Sequence, residues 1–86
     1  MKPDHVTLLV SSLDRSMPYY EQLLPLIGFY KQNNQVWSDG AGFYCQFLQA
    51  NADARPYERY GAGMNHLGFR ATSPEQVQAI RTAMQA

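Results

Sequence analysis

Apolar and polar residues alternate over residues 4–10, which predicts a β-strand with two different faces. Three aliphatic residues point to one face, whereas His5, Thr7 and Leu9 point to the other. A helical pattern follows and ends at Pro25. The pattern therefore predicts a strand followed by a helix that covers one face of a sheet, with His5 on the opposite face.

Pro18 bears on where this first helix begins. A proline in a helix interior removes one backbone hydrogen bond and costs about 3 kcal/mol. We therefore expect Leu13–Arg15 to form a lead-in turn and Ser16 to cap the main helix, which places Pro18 in its first turn. The inner face of the helix is then supplied by Tyr20, Leu23 and Leu24.

Two hairpins are predicted after the helix. Strands Gly28–Gln32 and Gln35–Ser38 flank Asn33-Asn34, and asparagine tolerates the positive φ of a tight two-residue turn. The turn Asp39–Gly42 then leads into a strand over Phe43–Gln49. On that strand Tyr44, Gln46 and Leu48 share one face and Phe43, Cys45 and Phe47 the other.

The strand-and-helix pattern occurs a second time, 61 residues further on. His66 stands in a predicted strand Met64–Ala71, as His5 does in the first. Ser73 caps the next helix with Pro74 at its first position, and its buried stripe is predicted to be Val77, Ile80 and Met84. The order is βαβββ followed by βα.

Length and composition narrow the class of protein. Eighty-six residues predict one small domain, 1–86, with a first module over 3–49, a connection over 50–63 and a partial second module over 64–86. Seven basic and seven acidic residues cancel, which argues against binding to nucleic acid or an anionic membrane. No apolar run is long enough to span a bilayer, and we expect a cytoplasmic protein. The single cysteine, Cys45, is expected to be a buried structural thiol.

Several segments resemble the vicinal oxygen chelate superfamily, which includes glyoxalase I, extradiol dioxygenases, fosfomycin-modifying enzymes and bleomycin-binding proteins. Asp4–Val6, Ser11–Ser16 and Tyr19–Tyr20 resemble the opening of such proteins, and Gly63–Phe69 resembles the start of their second module. The resemblance implies an α+β fold of the glyoxalase/dioxygenase type. In the family, two βαβββ modules form a cup of eight strands, with a divalent metal on its floor in the enzymes. Relative to two even modules, three strands are missing after the second helix.

The resemblance also implies a set of metal ligands. His5 matches the ligand on the family's first strand and His66 the ligand on its fifth strand. Gln46 stands where a glutamate is usual on the fourth strand, and the position on the eighth strand has no counterpart. Two imidazoles and an amide form a weak site for a hard cation. Zinc, nickel, manganese and iron remain open as the metal.

Four further residues are candidates for substrate binding. Tyr30, Trp37 and Tyr44 are candidates for lining an aromatic pocket, although aromatic residues on small sheets are more often packing residues. Arg70 shares the predicted strand face of His66 and is a candidate for binding an anionic group, with a solvated arginine as the alternative.

Three functions remain open at this point. The first is a metal-dependent lyase or dioxygenase that activates a small oxygen-rich substrate. The second is a metal-free protein that sequesters a small molecule, and the third is a self-associating remnant without activity. In each case we expect a homodimer, because a lone βαβββ unit exposes an apolar face and open sheet edges.

Overall fold

The computed structural model describes residues 1–85. They divide into two compact units, Met1–Ala52 and the described residues from Asp53 onward. The first unit contains one helix and four strands, and the second contains one helix. In chain order the elements are β1 (His5–Val10), α1 (Leu13–Leu26), β2 (Tyr30–Lys31), β3 (Val36–Ser38), β4 (Tyr44–Gln49) and α2 (Pro74–Gln85).

The four strands form one mixed sheet in the order β1-β4-β3-β2. β1 runs parallel to β4, whereas β3 is antiparallel to both of its neighbours. A parallel pair needs a long crossover connection, which α1 and the two short strands provide. The predicted α+β fold with a βαβββ module is confirmed.

The core of the first unit lies between the sheet and α1. Its buried residues come from all of these layers: Met17, Leu24, Phe29, Trp37, Cys45 and Phe47. Phe47 is 1% exposed, and the ring of Tyr20 on α1 packs against it with the ring centroids 4.4 Å apart. The helix therefore covers the sheet face that carries the odd-numbered residues of β4.

The start of α1 differs from the prediction. The helix begins at Leu13 with Ser12 as its N-cap, and the Arg15 N–H donates to Ser12 Oγ over 3.3 Å. The Ser16 N–H donates to Ser12 O over 2.9 Å, so the first turn is helical rather than a separate lead-in. Pro18 consequently lies inside the helix. Capping by Ser12 and the burial of Met17 and Leu24 offset the hydrogen bond that Pro18 cannot make.

Pro25 also lies inside α1, one residue before the helix ends at Leu26. Gly28 follows with a φ of 94°, a left-handed conformation that favours glycine. Its N–H donates to Pro25 O over 3.3 Å, and the Phe29 N–H donates to Leu24 O over 2.9 Å. These bonds satisfy the last helical carbonyls and turn the chain into β2.

The turn between β2 and β3 also differs from the prediction, because no non-glycine residue has a positive φ in the described chain. The Asn33 side chain shapes the turn instead, since its Oδ1 accepts from the backbone N–H groups of Gln35 and Val36, each over 2.9 Å. Between β3 and β4, Asp39 Oδ1 accepts from the N–H groups of Ala41 and Phe43. Side-chain acceptors thus close both turns.

The predicted strand Met64–Ala71 is not formed in the described part of the second unit. A strand needs a hydrogen-bonded neighbour, and the sheet includes only β1 to β4. The helix start is confirmed, since α2 begins at Pro74 and the Gln76 N–H donates to Ser73 Oγ over 3.1 Å. The predicted buried stripe is wrong for Val77, which is 55% exposed, and no described residue of α2 is fully buried.

Candidate functional site

The face of the sheet opposite α1 is open, and the register places the chemically useful side chains there. Partners in one row across the sheet are His5, Tyr44, Ser38 and Tyr30, on β1, β4, β3 and β2 in turn. The next row on this face contains Thr7, Gln46 and Val36. We call these seven residues the open face. The predicted placement of His5 and Gln46 on one face is confirmed.

His5 is held in place by Tyr44 of the open face and by Asp4, the residue before it in the chain. Its ring stacks on that of Tyr44, with the centroids 4.7 Å apart and the planes 9° from parallel. Its Nδ1 lies 2.7 Å from Asp4 Oδ2, and the His5 side chain remains 46% exposed. Among the described residues, Nδ1 makes the one hydrogen bond of this half-exposed ring, and Nε2 makes none.

Gln46 is half-buried and is oriented by Thr7. The Thr7 hydroxyl donates to Gln46 Oε1 over 3.3 Å, and the two residues are register partners on β1 and β4. An amide oxygen has two lone pairs, so Oε1 keeps one for another partner. Gln46 therefore offers a neutral oxygen ligand one row from the imidazole of His5.

An open depression of about 330 Å³ lies on the same face, lined by Gln32, Val36, Ser38, Tyr44 and Gln46. This volume is at the lower end of the range for small-molecule sites. Its lining combines a phenol ring with hydroxyl and amide groups. Such a lining suits a small polar molecule with a flat face.

The two other aromatic candidates have different positions. Tyr30 is 68% exposed at the β2 edge of the open face, beside Gly40. Trp37 is 3% exposed and faces α1, because its register partner is the buried Cys45. The prediction that Trp37 lines a ligand pocket with Tyr44 does not agree with this placement. Alternation along β3 points Trp37 away from the face that carries Ser38.

His66 and Arg70 belong to the second unit, and both are exposed. His66 Nδ1 lies 3.0 Å from Asn65 Oδ1. Asn65 is itself bound twice, since its Nδ2 donates to Arg59 O over 2.7 Å and its carbonyl accepts from the Tyr57 hydroxyl over 3.2 Å. The loop before His66 is thus organised around Asn65.

Two groups packed in the core of the first unit, Cys45 and Tyr20, have raised pKa values. Burial raises the pKa of the Cys45 thiol, and the nearby Asp39 carboxylate raises it further. Burial likewise raises the pKa of Tyr20, with a smaller effect from Tyr19. The predicted role of Cys45 as a buried thiol is confirmed by its 2% exposure.

The donors can be tested against the metal that this class of fold often holds. Within the first unit, His5 Nε2 and Gln46 Oε1 are a nitrogen and a neutral oxygen donor on one face, which fits a borderline cation such as zinc or nickel better than calcium or magnesium. No three His, Cys, Asp or Glu residues come together in the described chain. His66 offers a further imidazole, in the second unit.

Sequence reasoning missed Thr7, Ser38, Asp4 and Asn65 as parts of these arrangements. Thr7 alternates with His5 on β1, so the period-two pattern already carried its signal. Ser38 required the register with Tyr44. Asp4 and Asn65 each precede a histidine, and a residue with a side-chain oxygen at both positions could have indicated a hydrogen bond to the ring.

Comparisons with known proteins agree with the fold. The chain is 25% identical to a solved structure described as a "putative glyoxalase" from Bacillus halodurans, with a TM-score of 0.81 over 96% of this chain and 66% of that one. It thus spans slightly less than two thirds of that protein. A βαβββ module with this likeness defines a protein of the vicinal oxygen chelate superfamily, whose members are often metal-dependent and whose modules commonly pair.

A curated relative extends the comparison. The chain is 32% identical over 89 aligned residues to the uncharacterized protein YqjT of Bacillus subtilis (strain 168), covering 95% of this chain and 68% of YqjT. The chain belongs to the same glyoxalase-like family. No family model matches it. No helix in the described residues has the length and apolar character to cross a membrane.

Proposed function

We propose that the protein binds a small oxygen-rich molecule over the open face and activates it with a divalent metal held by His5 and Gln46. His66, in the second unit, is a further proposed metal ligand. The observation that carries the proposal is His5, whose ring is fixed by Tyr44 and Asp4 while its side chain remains 46% exposed and its Nε2 has no partner among the described residues. A metal supplies Lewis-acid polarisation of a substrate oxygen when it is bound. The resulting reaction would be of the lyase or dioxygenase type.

The chain's own residues would orient the substrate. Tyr44 and Tyr30 present aromatic surface along one row, and Ser38 contributes a hydroxyl between them. Thr7 keeps the amide of Gln46 in a defined orientation. In the second unit, we propose that Arg70 binds an anionic group.

Metal content tests this proposal directly. The purified protein, loaded in turn with zinc, nickel, manganese and iron, is analysed by mass spectrometry together with His5→Ala and His66→Ala. Leu26→Ala is the control, because Leu26 lies on α1, on the other side of the sheet, and is 38% exposed but has no donor atom. We expect metal in the wild type and in Leu26→Ala and its loss in both histidine variants. Absence of every metal from the wild type contradicts the proposal.

Gln46→Glu provides a second test, in which the metal affinity should rise rather than fall. A carboxylate is a stronger ligand than a neutral amide, and it also accepts the hydrogen bond from Thr7. We therefore expect Gln46→Glu to bind the metal more tightly and Gln46→Ala more weakly. Equal affinities for the three proteins would remove Gln46 from the ligand set.

A metal-free binding protein is the second candidate function. The aromatic row of Tyr30 and Tyr44 and the absence of a carboxylate from the donors favour it. Catechol, which has two neighbouring oxygens on a flat ring, distinguishes the two functions when its binding is followed by NMR. Binding that requires metal supports the first function, whereas metal-free binding that is lost in Tyr44→Ala supports the second.

We also propose that the open face is completed by a second copy of the chain. β1 is an edge of the sheet, and Leu9 and Leu48 are 64% and 38% exposed at one end of the open face. A formal net charge of zero gives no long-range repulsion between copies. Light scattering at micromolar concentration should show a dimer, and a stable monomer would contradict this proposal.

A further inference from the structure

Each histidine forms a hydrogen bond with the residue that precedes it in the chain. The residue immediately before each one uses a side-chain oxygen to bind Nδ1, Asp4 for His5 and Asn65 for His66. The two pairs are 61 residues apart, at equivalent places of the repeated pattern. The two contacts differ in chemistry, a carboxylate in one and an amide in the other, but both present an oxygen to the same ring nitrogen.

In the first pair the direction of the hydrogen bond follows from the acceptor. An ionised carboxylate only accepts, so Nδ1 of His5 must carry the hydrogen across the 2.7 Å contact. The backbone of Asp4 is itself fixed, because its carbonyl accepts from the Tyr44 N–H over 3.1 Å. Tyr44 also stacks on the His5 ring. Both the ring and its acceptor are therefore anchored to β4.

In the second pair the neighbouring carbonyl decides the direction. The oxygen of Arg59 only accepts, so the Asn65 atom 2.7 Å from it must be the amide nitrogen. The amide oxygen of Asn65 is then the atom that faces His66 over 3.0 Å. Nδ1 of His66 must donate, as Nδ1 of His5 does.

We propose that Asp4 and Asn65 are positioning residues that hold both imidazoles with the hydrogen on Nδ1 and the Nε2 lone pair directed to a ligand. A neutral imidazole carries its hydrogen on one nitrogen only, so a bond from Nδ1 leaves Nε2 as the electron-pair donor. This inference rests on the proposed function, since it assigns the ligand atom of each histidine. It goes further by naming the two residues that select that atom.

The hydrogen bond favours ligand binding because it places the hydrogen on Nδ1 before the ligand arrives. In water, the neutral histidine side chain favours the hydrogen on Nε2, which would block the outward nitrogen. An oxygen acceptor beside Nδ1 reverses this preference before a ligand arrives. Partners of this kind also fix the ring orientation, and their loss weakens metal binding about 10- to 100-fold in characterised sites.

Nitrogen NMR of the metal-free protein tests the inference without any activity. Two-bond ¹H–¹⁵N spectra at about pH 8, above the ordinary histidine pKa, distinguish the protonated ring nitrogen from the bare one. We expect a protonated Nδ1 and a bare Nε2 for both histidines in the wild type. In Asp4→Ala only the His5 signals should move towards the Nε2–H form, and in Asn65→Ala only those of His66. Each variant is thus the control for the other.

Two further variants keep the acceptor and should keep the signature. Asp4→Asn retains an oxygen for His5 and reproduces the chemistry of the Asn65 pair, and Asn65→Asp retains one for His66 even if the bond to Arg59 is lost. A wild-type spectrum dominated by the Nε2–H form, or alanine variants without an effect on it, would overturn the inference.

Zinc titration by calorimetry then separates this inference from the proposed function. Asp4→Ala and Asn65→Ala should each weaken zinc binding about 10-fold or more, with Asp4→Asn close to the wild type. Unchanged affinity in both alanine variants would overturn the positioning role. A wild-type protein that binds no zinc, nickel, manganese or iron refutes the proposed function, while the metal-free spectra still decide which nitrogen each neighbour selects.

Discussion

Replacing Phe47 by alanine tests which face of β4 is buried, and hence which residues form the open face. Phe47 is 1% exposed and packs on Tyr20, so its loss removes a fully buried ring and leaves a cavity. Such changes cost about 3 to 5 kcal/mol. A chain of 86 residues has a free energy of unfolding of about 4 to 13 kcal/mol at ordinary stability per residue. The variant should therefore lose much of its stability, or unfold.

Leu48→Ala is the matched control, because Leu48 is the next residue of β4 and is 38% exposed on the other face. At protein concentrations where light scattering shows a monomer, so that no second copy covers Leu48, we expect it to cost about 1 kcal/mol or less. Urea unfolding followed by the fluorescence of Trp37 measures both variants, since Trp37 is the sole tryptophan and lies in the same core. A cost for Leu48→Ala that equals or exceeds that of Phe47→Ala would refute the assignment of the faces, and with it the placing of Tyr44 and Gln46.

Three other predictions concern the first unit. Ser12→Ala should lower the free energy of unfolding by about 1 kcal/mol in a urea titration, because it removes the α1 cap to Arg15, whereas Ser11→Ala should have little effect. Trp37→Phe should cost less than the deletion of a buried ring, which costs about 3 to 5 kcal/mol, because the buried Trp37 Nε1 has no hydrogen-bond partner in the described chain. Thermal unfolding followed by circular dichroism measures this cost. A larger loss would contradict the absence of a partner for Nε1. Burial raises the pKa of Cys45 in the folded state, so folding favours the neutral thiol. This contribution to the free energy of unfolding is fully present below the unfolded pKa of 9.0 and is lost as the pH rises through the pKa of the folded state. The stability difference between the wild type and Cys45→Ala should therefore shift against the wild type as the pH rises above 9.0, and a difference independent of pH would contradict this.

The elements of the first unit were predictable because their signals are local. Alternation marked β1 and β4, and it also placed His5 and Gln46 on one face before any pairing was known. The predicted helix start is wrong, because Ser12 rather than Ser16 caps α1 and Pro18 lies inside the helix. In the folded chain, burial of the helix against the sheet outweighs one missing backbone bond.

The predicted strand over Met64–Ala71 shows where local pattern stops being enough. Its alternation resembles that of β1, but a strand exists only with a neighbour that accepts and donates its backbone hydrogen bonds. The same reasoning applies to Val77 in α2, whose apolar character predicted burial although the residue is 55% exposed. An apolar stripe indicates a face that can be covered, not that a cover is present.

The sequence by itself determined the order of elements in the first unit and the repeated pair of histidines, because periodicity and motifs are properties of neighbouring residues. It also carried a resemblance to the family that the comparisons then showed. Only the tertiary structure decided that β1 lies beside β4 in parallel, and thereby that Thr7 orients Gln46 and that Tyr44 stacks on His5. It also decided that Trp37 faces the core, since the register with Cys45 assigns its face. Register is set by contacts between residues far apart in the chain, and a single shift by one residue would exchange the two faces of the strand.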